Sequence, residues 1–280
     1  MSLNDFLAVA FAPSNFSTLI GLFALMAVIA VIEAIVPLSA RDRSGRPHAL
    51  PNLVLTALTF ATGLVLGGAI LVMLPGWQAA GLGLLNAYDV GPFWAIVIAV
   101  LGLDFATYVC HVAMHKTPAW WRYHRVHHSD LAVDVTTTFR QHPGETVIRY
   151  AFLGVAALAL GASPVAFAVY RTMSALTALP EHANIRVPAW LDDILSLLVT
   201  WPTFHKVHHS RAAEETDTNY GNILSIWDRL FLTYTPAARG REIVYGLDGF
   251  DDACDHTVGG LLAMPRRRDV APAPAGRYRT

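Results

Sequence analysis

Charge is scarce in this 280-residue chain. Asp, Glu, Lys and Arg together make up 15% of it, against about a quarter in an ordinary soluble domain. None of the four occurs between Pro47 and Tyr88. A chain this apolar is neither disordered nor a coiled coil. With a net charge of −1 it has no basic field to attract phosphates, which sets nucleic-acid partners aside. Two cysteines, Cys110 and Cys254, are too few for a disulfide framework or a thiolate zinc site. There is no G-x-G-x-x-G loop for a dinucleotide and no H-E-x-x-H of a zinc protease.

What is present is hydrocarbon. Hydrophobic residues reach 54% and mean hydropathy is +0.42. A membrane crossing takes about 20 apolar helical residues, and candidates run over 16–38 (interrupted by Glu33), 53–74 and 92–110 (with Asp104 inside). The amino terminus lacks the basic flank of a signal peptide and its apolar run is too long for one, so it reads as a retained helix. A fourth apolar region, 147–179, contains Arg149 and Arg171 and is broken by Gly161-Ala-Ser-Pro164. It either crosses once or doubles back, and a hairpin is favoured because it keeps all the histidine clusters on one side. Arg41, Arg43 and Arg46 in the first loop, and Lys116, Arg122 and Arg125 after the third span, put those loops in the cytoplasm. Trp120, Trp121 and Trp201 suit the headgroup level. Residues 261–280, with Arg266-Arg267-Arg268, read as a disordered basic tail.

Twelve histidines stand out. His111 and His115 are spaced i, i+4. His124, His127 and His128 form H-x-x-H-H, as do His205, His208 and His209. On a helix these spacings share a face, so each group can aim its imidazoles at one spot. Crowded imidazolium ions repel, whereas neutral imidazoles around a metal do not. Eight nitrogen ligands exceed the four of a structural zinc site and imply two ions, with iron, zinc, copper and nickel all suited to imidazole. His48 and His256 stand alone and read as hydrogen-bonded structural residues. Asp104, seven residues before His111, is a membrane carboxylate in need of a partner, and orienting a ligand imidazole is a natural task for it. Asn219 and Asp228 are candidates for the same work, or for packing and turns.

With Asn219-Tyr-Gly221 and Trp227-Asp-Arg-Leu-Phe231 following the three boxes, the stretch from about Asp104 to Tyr234 resembles the fatty acid hydroxylase/sterol desaturase superfamily. That resemblance implies an all-α, polytopic membrane bundle, a single domain over 1–260. Its histidine-rich helical cap (111–146 and 180–235) would hold two non-haem irons at the cytosolic face, in a bacterial inner membrane. It implies hydroxylation or desaturation of a lipid C–H bond with dioxygen and two electrons, the electrons coming from a separate ferredoxin or cytochrome with its reductase. It adds His182, in Glu181-His-Ala-Asn184, to the eight box histidines as a ligand, and marks His142, in Arg140-Gln-His-Pro-Gly-Glu145, as a neighbour of the site. Val112 and Leu232 depart from the residues many relatives carry, Arg and Gly respectively. The lipid is expected to arrive from the bilayer past Phe105, Met173 and Leu176. The rival reading is a metal transporter or metal-binding membrane protein, which would need its ligands at mid-membrane along a pathway.

Overall fold

Prolines decide where the helices begin. The computed structural model describes residues 13–39, 48–88 and 90–267, and these contain helices and loops but no strand. The principal helices are α1 (Pro13–Ile35), α2 (Ala49–Ala79), α3 (Pro92–Lys116), α4 (Pro118–His128), α5 (Pro143–Leu160), α6 (Pro164–His182) and α7 (Pro202–His208). α3 to α7 each open on a proline, whose fixed φ and missing N–H suit the first helical position. At Thr117 the residue before Pro118 is extended (φ −106, ψ 109), as its proline demands. The chain breaks there and folds α4 back beside α3.

Among the described residues four stretches are long and apolar enough to cross a membrane: Ser17–Ile35, Ala49–Ala87, Pro92–Lys116 and Pro143–Leu160. The protein is an integral membrane protein. α3 is one unbroken rod of 25 residues, about 37 Å long, and so outreaches a hydrocarbon core of about 30 Å. Its last turns, which carry His111 and His115, project past the expected end of the span at 110. α6 is not among the four stretches; it carries Arg171 and Glu181 and ends on His182.

The 143–182 stretch is a hairpin. α5 ends at Gly161, whose left-handed conformation (φ 69) is easy only for glycine. Both of its far ends reach the histidines: Glu145 Oε1 lies 2.9 Å from His124 Nδ1, and His182 Nε2 lies 3.1 Å from His127 Nε2. Between them, Leu153, Ala157, Ala166, Phe167 and Tyr170 pack with Leu74, Ala99 and Leu103 into the main core. The alanines let backbones approach closely. Trp77 Nε1 donates across this core to the Leu158 carbonyl at 2.9 Å.

Glu33, the one charge in α1, accepts the backbone N–H groups of Val135 and Asn184, each at 2.8 Å. It ties the first helix to the two loops beside the histidines. His48 sits 3.7 Å from Asp130 and 3.5 Å from Asp134, and His256 meets the Phe250 carbonyl at 3.0 Å. Of the stretch expected as a tail, the described residues 261–267 are packed against the bundle. Leu261 and Met264 are fully buried, and Arg125 Nη2 donates to the carbonyls of Met264 and Arg267 at 2.6 and 2.8 Å. Apolar side chains and a buried guanidinium hold this segment down. Arg41, Arg43, Arg46 and Arg268 lie outside the described residues.

Candidate metal centre

The nine histidines expected as ligands come together in two groups. One is His111, His115, His124, His128 and His208; the other is His127, His182, His205 and His209. Within each group one nitrogen per ring lies within 4.8 Å of all the others. The boxes do not aim at single spots. In α4, His124 and His128 join the first group and His127 the second. In the third box the division is reversed, with His205 and His209 in the second group and His208 in the first. The groups adjoin, with the His128 and His209 rings stacked at 4.7 Å.

In the first group, hydrogen bonds at the back of each ring fix which nitrogen faces inward. A neutral imidazole has one N–H, and carbonyls and carboxylates only accept. Nδ1–H of His111 donates to the Tyr220 carbonyl (2.8 Å), that of His124 to Glu145 (2.9 Å), that of His115 to Asp217 (3.2 Å) and that of His208 to the Thr218 carbonyl (2.8 Å). The Thr216 hydroxyl donates to the His208 carbonyl, so its oxygen is free to accept from His128 Nδ1 at 3.3 Å. All five Nε2 atoms of this group therefore present lone pairs. His111 Nε2 and His124 Nε2 face each other at 3.0 Å, and His124 and His128 at 3.1 Å. Two lone pairs at that distance repel unless a cation lies between them.

In the second group only His182 is held from behind, and Nδ1 of His127, His205 and His209 is buried with no partner among the described residues. His182 Nδ1 donates to the Ala178 carbonyl at 2.8 Å, and its Nε2 lies 3.1 Å from Nε2 of both His127 and His205. His209 Nε2 lies 3.2 Å from His205 Nε2. Nε2 of His115 and of His208 is buried with no partner among the described residues. Burial, and after it the neighbouring imidazoles, holds His124, His127, His128, His205 and His209 well below the usual histidine range. Burial pushes His208 down to about 4. Neutral imidazoles with converged lone pairs are a donor set that fits metal ions.

The carboxylates expected to orient imidazoles work one step further back. Asp228 accepts the backbone N–H groups of Tyr220 (2.7 Å) and Gly221 (2.8 Å), and burial raises it to about 6. It thereby holds the Tyr220 carbonyl that receives His111. Asp104 touches no histidine; it accepts from Ile223 N, Leu224 N and Trp227 Nε1 at 2.9, 3.1 and 2.8 Å. Asn219, itself at φ 55, donates to the carbonyls of Phe204 and Thr235. The three residues pin one loop, 219–228, against α3 and α7. His142 is absent from both groups. Its Nδ1 accepts from Gly144 N at 2.9 Å and caps α5.

The residues that do touch imidazoles, Glu145, Asp217 and Thr216, were not singled out from the sequence. For Glu145 a signal existed, since an acid opening an apolar helix needs a buried partner. Trp121, expected at the headgroups, packs on the rings of His115 (4.9 Å) and His128 (5.4 Å).

A cavity of about 400 Å³ reaches His111, His127, His182 and His205 from the helices, lined by Leu22, Phe60, Gly67, Tyr150, Phe167 and Ala175 among others. Phe105, Met173 and Leu176 do not line it. Arg171, Ser174, Ala175, Ala178 and His182 form the inward face of α6, and helical spacing turns Met173 and Leu176 outward, 41% and 45% exposed. Phe105 instead stacks on Trp227 and Phe231.

Residues 96–233, the stretch that contains this centre, match the family model for fatty acid hydroxylase. The chain belongs to the fatty acid hydroxylase superfamily. It is 33% identical over 156 residues to the alkylglycerol monooxygenase of Danio rerio and 31% to that of Homo sapiens, in each case over 55% of this chain and 33% of the relative. It is 30% identical over 154 residues to an ornithine lipid hydroxylase of Rhizobium tropici, over 55% of this chain and 46% of the relative. The chain thus spans about a third to a half of the length of the relatives it matches. No solved structure matches it. The matched segment contains both histidine groups: it runs from within α3, through α4 to α7, to the loop that Asp228 holds.

Proposed function

We propose that the protein is a membrane-bound non-haem di-iron oxygenase that hydroxylates, or desaturates, a C–H bond of a lipid. The observation that carries this reading is the convergence of nine imidazoles, their outer nitrogens held by hydrogen bonds in the first group, at the floor of a cavity open to the membrane helices. The names of the relatives, which act on alkylglycerols and an ornithine lipid, support the substrate class. His111, His115, His124, His128 and His208 would hold one iron and His127, His182, His205 and His209 the other. When bound, the irons supply dioxygen reduction with two external electrons, one oxygen atom entering the C–H bond and the other leaving as water.

The chain's own part is positioning. Glu145, Asp217 and the carbonyls of Tyr220 and Thr218 keep the first group's N–H atoms turned outward, so its rings are ready to ligate without rotation. Leu22, Phe60 and Phe167 line the approach with hydrocarbon, which keeps a lipid tail in and bulk water out. The ligands sit at helix ends rather than along a mid-membrane path, which disfavours a transporter. Electrons arrive from a ferredoxin or cytochrome with its reductase on the cytoplasmic side of a bacterial inner membrane.

The test is metal content, then turnover. Protein extracted in mild detergent from iron-fed cells should carry near two irons per chain, and should convert a lipid to its alcohol or alkene when a reductase and ferredoxin are added. His127→Ala and His208→Ala should each lose metal and turnover. Folded protein that retains no metal after anaerobic iron reconstitution overturns the reading.

A further inference from the structure

Two guanidinium groups line the cavity above the histidines, and only one of them is neutralised. Arg149 Nε binds Glu145 at 2.8 Å. Arg171 lines the same cavity and makes no ion pair among the described residues. A cation on a helix that packs among membrane-spanning helices is expensive to keep and marks a candidate functional residue. Near a helix end it could reach back to the interface, but Arg171 is seven residues into α6, about 11 Å from its start.

The guanidinium is instead held within the bundle. It lies 4.9 Å from the centre of the Tyr150 ring, a cation–π contact. Tyr150 is itself fixed by two glycines of α2. A Cβ on Gly63 would come within 2.8 Å of the Tyr150 hydroxyl, and one on Gly67 within 3.1 Å of its ring. Only the bare backbone leaves the ring its place, so the perch under Arg171 is built.

Its distance from the metal floor follows from helix rise. Arg171 is eleven residues from His182, about 16 Å along α6, and Tyr150 is five residues from Glu145, about 8 Å along α5. The cation thus stands roughly 8–16 Å above the imidazoles. At an advance of about 1.25 Å per bond in a zigzag of C–C bonds, an extended hydrocarbon of some seven to fourteen carbons covers that gap. The lining between includes Ala175 and Ala178 of α6 and Phe60 of α2, with the hydroxyls of Ser174 and Thr146 beside them.

We propose that Arg171 anchors the anionic headgroup of the substrate, a carboxylate or a phosphate, with the tail lying down the cavity toward the histidines. The substrate class is then an anionic amphiphile inserted tail-first, and oxidation falls several carbons from the headgroup. This rests on the oxygenase reading for its chemistry but not for its binding step.

The experiment measures binding of dodecanoate, dodecyl phosphate and neutral dodecanol to the full chain in nanodiscs, by competition with a fluorescent fatty acid. No turnover and no reductant are needed, so the result stands whether or not iron is confirmed. Wild-type protein should bind one or both anions at least about tenfold more tightly than the alcohol. Arg171→Gln should abolish that preference with the affinity for dodecanol unchanged, and Arg171→Lys should keep most of it. The stronger of the two anions tells fatty acid from phosphate lipid. Equal affinity of the wild type for all three probes overturns the proposal, even if Arg171→Gln fails to fold. So does a preference that survives in Arg171→Gln. In protein shown to be active, mass-spectrometric fragmentation should place the new hydroxyl away from the carboxylate, and an α- or β-hydroxy product counts against the tail-first arrangement.

Discussion

His111 and His124 face each other across 3.0 Å through nitrogens that both carry lone pairs. The Tyr220 carbonyl behind one and the Glu145 carboxylate behind the other hold the two protons on the far sides. The two inner lone pairs repel each other until a cation enters between them. Removing metal with a membrane-permeant chelator should therefore lower the thermal midpoint and make it depend on added metal. A metal at a thousand times its dissociation constant adds about 4 kcal/mol to the folded state. Differential scanning fluorimetry with and without iron checks this, and an unchanged midpoint at full metal loss counts against lone-pair convergence.

Glu145 is the most consequential residue outside the histidines. One oxygen, Oε1, receives both His124 Nδ1 (2.9 Å) and Arg149 Nε (2.8 Å). In Glu145→Gln the neutral amide leaves Arg149 uncompensated in the bundle, and its NH2 group repels whichever donor it meets. Loss of a partner to a metal-bound imidazole costs about 10- to 100-fold in affinity or activity, and breaking a buried ion pair about 3–5 kcal/mol, discounted here because Arg149 is 17% exposed. Iron affinity by competition and the thermal midpoint should both fall. A variant that keeps wild-type iron affinity shows that Glu145 only serves the fold.

Asp104 should behave differently. Its carboxylate collects three strong donors from the 223–227 loop, and none from a histidine. Asp104→Asn turns an amide NH2 toward one of those donors, which leaves a buried N–H unpaired at a cost of about 1–3 kcal/mol. The thermal midpoint should drop while the ratio of iron to folded chain stays close to wild type. Selective loss of iron in protein of normal stability would return Asp104 to the role expected from its sequence position.

The contrast shows where legibility stops. Apolar runs in the sequence foretold the long helices because a bilayer requires them, and nine histidines were legible as one converging set by their spacing and by family resemblance. The division of each H-x-x-H-H between two groups was not. On a helix, residue i+4 lies about 40° to one side of residue i and residue i+3 about 60° to the other, so a box can serve one point or straddle two. Which occurs depends on the helix opposite, α6 with His182 for His127 and α3 with His111 for His124. Asp104 was legible as a carboxylate needing partners, but nothing in its spacing told backbone amides from imidazoles. Glu145 was hidden for a related reason: its histidine lies 21 positions earlier, on a helix whose direction Thr117 and Pro118 decide.

Leu232 offers the last test. It holds φ 59, a left-handed conformation that costs a residue with a Cβ about 1–2 kcal/mol, and its side chain is 91% exposed. It cannot relax, because the next residue is tied down: Thr233 N donates to the Asp228 carbonyl at 2.8 Å and its hydroxyl to the Asp228 carboxylate at 2.7 Å. That same carboxylate holds Tyr220 behind His111. Glycine adopts this conformation freely but loses about 0.5–1 kcal/mol more chain entropy on folding. Leu232→Gly should therefore gain up to about 1 kcal/mol, a rise of roughly 2–4 °C in thermal midpoint for a chain of this size. Leu232→Ala, which keeps the Cβ, should gain nothing. A gain in both variants traces the effect to the exposed side chain, and a loss in the glycine variant means that the leucine side chain contributes more than its backbone costs.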